Sequence, residues 1–315
     1  MSNIDIDKLQ SSPETAVKHG DKYYKAELEN EKTGEKTYTV RPNFAVENKD
    51  KKLTVHPAFL AEFFRLTENI VYLRNNALGT EIRYIYQNGV YVQINNNDLD
   101  KILLDYVAKF KFSLQTVHTV ANARELIDKK SEKIVHNKMN EAEEYINFRN
   151  GLLNIYNMKL CPHSPDIFST IQIPCDWKNE NTLTPVFDRF IGTFTENNKQ
   201  KAQLLLEYIG AVISNIYGYR FKKCMFLVGS GDSGKSLISA LINRLIGSEN
   251  SSERSLKRMS DKFGETAVYM KRFVFSGDLS FMKIDQMDRF KELTGGDTIS
   301  VEFKNQEPFD YQFRG

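Results

Sequence analysis

Gly229, Ser230, Gly231, Asp232, Ser233, Gly234, Lys235 and Ser236 follow one another in the order G-x-x-x-x-G-K-S. That order suits the binding of a nucleoside triphosphate. Glycines let the backbone turn so that successive N–H groups point inward at phosphate oxygens. A helix that starts at the end of such a loop adds a partial positive charge. Lys235 then reaches the β- and γ-phosphates, and the Ser236 hydroxyl ligates magnesium. With Leu237, these residues are the candidate nucleotide-binding set, and ATP with magnesium is the expected ligand pair. The flanks suit the motif. The apolar run Cys224–Val228 predicts a strand before the loop, and apolar residues at 237, 238, 241, 242 and 245 predict a helix after it, with Gly247 at its C-cap.

Such a site needs a carboxylate on a neighbouring strand, to hold the metal or orient the attacking water. Arg272–Asp278 reads as a short apolar strand that ends in an acid. Lys235 and Asp278 are the candidate catalytic residues, and Ser236 and Asp278 the candidate magnesium ligands. Many ATPases carry two adjacent acids at this place; this chain has one.

The elements that must position these residues follow from pattern. Pro57 opens a short helix, FLAEFFRL. Asn88-Gly89 between IRYIY and VYVQI predicts a tight hairpin. Asn95–Asp98 offers a cap for the helix DLDKILLDYVAKF, and residues 114–140 continue as a more charged helical stretch. Residues 145–177 read as a compact β-rich element, and helices are expected over about Pro185–Thr195 and Lys199–Ser214. Tyr84, Tyr86 and Tyr91 read as cross-strand packing and Trp177 as core. Lys129, Lys130, Lys133 and Lys138 read as a solvated helix face.

Composition sets bounds. The chain has 315 residues, 41% hydrophobic and 27% charged, with a formal net charge of +2. A nucleic-acid partner is not announced by charge, so any basic surface must be local. Three cysteines, Cys161, Cys175 and Cys224, form no C-x-x-C pair, which argues for a reducing compartment. Cys161-Pro-His163 lacks a second ligand pair at zinc spacing. No apolar run reaches the ~18–20 residues of a membrane span, and the polar start is not a secretory signal. The cytoplasm is the expected compartment.

Several segments occur together in order: NFRNGLLNI, CPHSPDIFSTIQIPCDW, LLLEYIGAVI, GSGDSGKS, RFVFSGD and KELTGGDTISVEFKNQEPFDYQF. Together they resemble the phage and plasmid primase-helicases, superfamily 3 helicases of the AAA+ class with a poxvirus primase-helicase-like N-terminal domain. The resemblance is clear over residues 145–315 and weaker over 60–144. It implies an α/β chain: an α+β N-terminal domain followed by a truncated P-loop AAA+ α/β domain. The implied boundaries are a polar arm or small extension over 1–55, the N-terminal domain over 56–220 and the helicase core over 221–315. It also implies a hexameric ring that hydrolyses ATP between subunits, translocates on single-stranded or forked DNA in a bacterial host's cytoplasm, and serves a primase or polymerase. In that family the segment matching Thr294–Phe313 is a pore hairpin, which puts Lys304, followed by Asn305, against the DNA backbone. The family continues with a sensor strand and an arginine finger, and the stretch from Gly229 to Gly315 is short for a domain of ~100–150 residues. Hydrolysis by the chain as given is therefore expected to be weak. No paired-Asp cluster or zinc set marks a primase centre. The other readings are a P-loop ATPase or kinase of another class, whose turnover ignores DNA, and a non-hydrolysing module that binds DNA or a partner.

Overall fold

Ser12, Asn95, Thr116 and Asn198 stand in extended backbone just ahead of apolar-periodic runs, and each side chain accepts a first-turn backbone N–H. Such caps satisfy donors that a helix leaves open. They start α1 (Pro13–His19), α3 (Asn96–Lys111), α4 (Val117–Lys130) and α6 (Lys199–Ile213). At Asn95 the cap is reciprocal, because the Asp98 carboxylate accepts the Asn95 N–H. Proline opens α2 (Pro57–Thr67) and α5 (Pro185–Phe194), where its fixed φ and missing N–H cost nothing. Two further helices are α7 (Lys235–Ile246) and α8 (Ile284–Gly295). The structure, a computed structural model, describes residues 5–30, 32–74, 82–135, 138–180, 182–255, 258, 264–277, 284–304 and 308–315.

The fold is mixed α/β, and the chain divides into two compact units. One holds residues 1–73, 82–86 and 92–134; the other holds 74–81, 87–91 and 135–315. This division falls near residue 135 rather than near 220, and it groups residues 1–55 with the segment that follows them. Residues 5–55 form no loose arm. They carry α1, the antiparallel ribbon β1 (Tyr23–Glu29) with β2 (Lys36–Pro42), and the pair β3 (Ala45–Glu47) with β4 (Leu53–Val55). Their polar composition hides a few well-placed apolar residues. Ala16, Tyr24 and Ala26 are buried, Phe44 and Ala45 enter the main core of the unit, and the Tyr24 hydroxyl donates to Ala45 O at 2.7 Å.

In that first unit α2, α3 and α4 pack on one another through Leu60, Phe63, Phe64, Leu103, Val107 and Ile127. A four-stranded sheet has the order β7 (Val90–Ile94), β6 (Ile82–Gln87), β5 (Ile70–Arg74), β8 (Lys133–Val135). Asn88 and Gly89 both take positive φ, 52° and 86°, as the turn between β6 and β7 requires. Tyr84 and Tyr91 are buried, as expected of packing residues. Asp128 on α4 accepts the Tyr72 hydroxyl at 2.7 Å and pairs with Arg83 at 2.9 Å, which ties the helix to β5 and β6. Lys129, Lys130, Lys133 and Lys138 are exposed.

The second unit carries a three-stranded antiparallel sheet, β9 (Tyr145–Phe148), β10 (Gly151–Asn154) and β11 (Lys159–Cys161). A short parallel pair follows, β12 (Ser251–Glu253) with β13 (Phe273–Phe275), and then an antiparallel hairpin, β14 (Thr298–Val301) with β15 (Phe309–Gln312). Its core gathers Phe148, Ile191, Leu205, Ile209, Ile238 and Ile242, and Trp177 packs against it. One expected strand is absent. Among the described residues Cys224–Val228 pairs with no strand, although Met225 and Leu227 turn to the core while Phe226 and Val228 stand 54% and 95% exposed. A ladder needs a neighbour ~4.8 Å away. Here β13 pairs with β12, and a cavity of about 740 Å³ is lined from both sides by Met225, Phe226, Phe273 and Val274.

Arg272, beside β13, is 5% exposed. Its guanidinium donates to Ala211 O at 2.7 Å, Val212 O at 3.0 Å, Ile216 O at 2.7 Å and Arg314 O at 2.8 Å. The first two are carbonyls that the end of α6 leaves without helical partners. Burial lowers its pKa to about 10, which leaves it charged at neutral pH. Among the described residues, no helix is long and apolar enough to cross a membrane. Arg272→Ala strands Val212 O and Ile216 O, while Ala211 O keeps the Ser214 hydroxyl and Arg314 O keeps the Gly218 N–H, and the expected loss is at least about 2 kcal/mol of stability in urea unfolding. A loss below about 1 kcal/mol would deny the guanidinium this role.

Candidate phosphate-binding site

The loop from Gly229 to Gly234 reverses the chain ahead of α7 by taking left-handed backbone twice. Asp232 has φ 55° and Gly234 φ 86°. The second is a glycine for a physical reason. The left-handed region penalises a Cβ, and a Cβ at Gly234 would stand 3.4 Å from Phe194 Cδ2 and 3.7 Å from Phe190 Cε2. These two rings of α5 back the loop. A helix is expected over about Pro185–Thr195, but nothing in the sequence ties its rings to the loop.

Gly234 serves as N-cap of α7, and no side chain caps that helix. Leu237 N and Ile238 N donate to Gly234 O at 3.1 and 3.2 Å. The first turn is therefore open to an acceptor from outside, at the positive end of a twelve-residue helix. Within the loop the Ser233 hydroxyl donates to Ser230 O at 2.9 Å. Lys235 folds back over it: its ammonium donates to Gly229 O at 3.0 Å, Ser230 O at 2.5 Å and Ser233 Oγ at 3.1 Å. All three donors of the ammonium are used, so the charge is held at the mouth of the loop. Ser230 to Ser233 and Ser236 are exposed, and Lys235 and Gly234 are half-buried.

The structure thus brings Gly229, Ser230, Ser233, Gly234 and Lys235 into one motif, with Ser236 and Leu237 in the first turn behind it. An uncapped helix N-terminus and a fixed ammonium fit a polyphosphate. For magnesium, the described residues supply the Ser236 hydroxyl. Asp278 lies outside the described residues. The strand before it, β13, is present, and Phe275 O accepts Arg254 N–H at 2.9 Å.

Lys304 is an exposed turn residue between β14 and β15, and Asn305 lies outside the described residues. The hairpin is anchored beneath Lys304 by Tyr269, whose ring meets Phe303, Phe309 and Tyr311 at 5.5, 5.4 and 5.1 Å, all edge-on. Sequence reading did not find Tyr269, because it stands alone between apolar residues and polar ones. His163 Nε2 lies 2.8 Å from Phe148 O and 3.1 Å from Asn147 Oδ1, so this ring serves a structural hydrogen bond. Among the described residues, no group of three or more His, Cys, Asp or Glu side chains is gathered for a metal ion.

Two stretches match known families. Residues 63–196 match the family described as D5 N terminal like, and residues 227–315, which contain nearly the whole loop-to-hairpin region, match a family of unknown function, DUF5906. Solved structures of similar fold include the apo structure of the NrS-1 C terminal region, at 13% identity and TM-score 0.53, with 85% of this chain and 56% of that one covered. The A form of the same apo region aligns at 13% identity and TM-score 0.52, over 82% of this chain and 55% of the other. At that identity the likeness is one of fold, and the chain spans only 54–56% of the solved chains that it matches. The chain is thus similar to the D5 N terminal like family ahead of the glycine-rich loop, and to DUF5906 from the loop through the hairpin.

Proposed function

We propose that this chain binds ATP with magnesium at Gly229–Leu237 and works as the motor part of a replicative DNA helicase. The observation that carries this reading is the Lys235 ammonium held over an exposed, left-handed loop at the uncapped start of α7. A bound triphosphate offers oxygens better suited to that ammonium than the loop's own carbonyls. The loop amides and Lys235 hold the β- and γ-phosphates, and Ser236 ligates the metal. Asp278 holds the metal or orients water. ATP supplies the phosphoanhydride bond whose hydrolysis drives movement. Lys304 touches backbone phosphates of single-stranded or forked DNA, without reading bases. The working assembly is a ring of copies of this chain, active in the cytoplasm of a bacterial host beside a primase or polymerase.

Titration with a fluorescent ATP analogue and magnesium tests the site. Lys235→Ala is expected to weaken binding at least about tenfold, the value of one charge-assisted contact. Normal affinity in that variant would remove the assignment. Gly234→Ala puts a Cβ on left-handed backbone, at about 1–2 kcal/mol, and is expected to lower both stability and nucleotide affinity. Neutral behaviour in both would mean that the loop does not need this conformation. Lys304→Ala is expected to weaken single-stranded DNA binding and to make its salt slope shallower by about 1, with nucleotide affinity unchanged. Unaltered DNA affinity would take the hairpin out of the DNA path.

A further inference from the structure

Phe112 stands at the corner between α3 and α4 with 77% of its surface exposed, although the two rings just before it in the sequence, Tyr106 and Phe110, pack against the core. Val117, across the same corner, is also 77% exposed. Lys109 and Lys111 flank the ring, and both are exposed. β4 packs against the turn that carries Phe112. The loop that leads into β4, Asn48–Lys52, adds exposed Lys49, Lys51 and Lys52. Among the described residues, none of these five lysines has a carboxylate within 4 Å. The nearby acids in the sequence are Glu47, which is paired with Arg41, and Asp50 and Asp105. In a chain of net charge +2 this is a local concentration of positive charge beside an exposed ring, with only the Lys109 ammonium engaged, 5.9 Å from the Tyr106 ring centroid.

Helix energetics account for part of the cluster. Cations in the last turn of α3 complement its dipole, which explains Lys109 and Lys111. It explains neither the three lysines of the neighbouring loop nor a phenyl ring left in water. An exposed flat ring on a lysine-rich corner suits a polyanion that also offers π-faces. We infer that this corner of the first unit binds single-stranded nucleic acid, with a base stacked on Phe112 and the flanking phosphates held by Lys49, Lys51, Lys52, Lys109 and Lys111. A lipid surface fits less well, because the apolar face of α3, Leu99, Leu103 and Val107, is already buried in the core. The inference rests on the reading that the chain works on single strands, and it adds a second, distinct contact to the one at Lys304.

The test uses the full chain and a fluorescein-labelled thymidine oligonucleotide, followed by anisotropy across a salt series, with circular dichroism to check folding. Phe112→Ala is expected to weaken binding roughly tenfold, and Phe112→Tyr to retain it, because stacking needs only the ring. The triple variant K49A/K51A/K52A is expected to weaken binding and to make the salt slope shallower by about 2. Both effects should persist in a Lys235→Ala background, so they stand even if the nucleotide site fails its own test. Parent-like affinity for Phe112→Ala overturns the inference, as does parent-like affinity and slope for the triple variant. Binding of the parent to phosphatidylserine vesicles that these same substitutions abolish, without effect on the oligonucleotide, overturns it in favour of a membrane surface.

Discussion

A buried guanidinium holds the second unit in order. Arg272 has no carboxylate partner in its hydrogen-bond set; four main-chain carbonyls surround it. Two belong to the end of α6, where a helix accumulates negative partial charge and unpaired acceptors. The others come from Ile216, just beyond that helix, and from Arg314. One side chain thereby joins β13, α6 and the strand-end of the β14–β15 hairpin. A buried charge is tolerated only when its donors are used, and here two of the interactions also supply the donor that Val212 O and Ile216 O would otherwise lack. α6 packs on α7, and α7 presents the glycine-rich loop. The position of the loop thus depends on a contact well outside it.

The loop solves the opposite problem. Arg272 satisfies acceptors at one helix end, whereas the N-terminus of α7 is left with open donors and no side-chain cap. Left-handed backbone at Asp232 costs free energy that ordinary turns avoid, and glycine at 234 avoids the same cost there. The rings of Phe190 and Phe194 fix it from behind, and the Lys235 ammonium closes it in front. A strained, exposed loop with a fixed cation and open amides is what a phosphate group would relieve. The hairpin that carries Lys304 has a separate support, the edge-on ring packing around Tyr269.

Much of this was legible from the residues. Asn95 and Asp98 announced their capping box, Asn88-Gly89 its turn, and Pro57 and Pro185 their helices, because each effect is local. Lys235 and the loop were legible because the phosphate chemistry needs those residue types at that spacing. Other features depend on what lies beside a segment. Cys224–Val228 has the apolar run of a strand and, among the described residues, lacks a neighbour to pair with. The opening fifty-five residues read as polar because the few that matter, Tyr24, Phe44 and Ala45, are scattered. The role of Arg272 was invisible, since its acceptors are backbone atoms some sixty positions earlier in the chain, at Ala211 and Val212. The unit division near residue 135 left no composition shift to read.

Hydrogen–deuterium exchange of the whole chain, with and without ATP and magnesium, tests the central claim most directly, because it reads the loop amides themselves. The account predicts slowed exchange that centres on residues 229–237 and spreads into the first turns of α7, with β1, β2 and the other elements of the first unit unaffected. Exchange at 229–237 that ignores saturating nucleotide, or protection that appears only elsewhere, would contradict it.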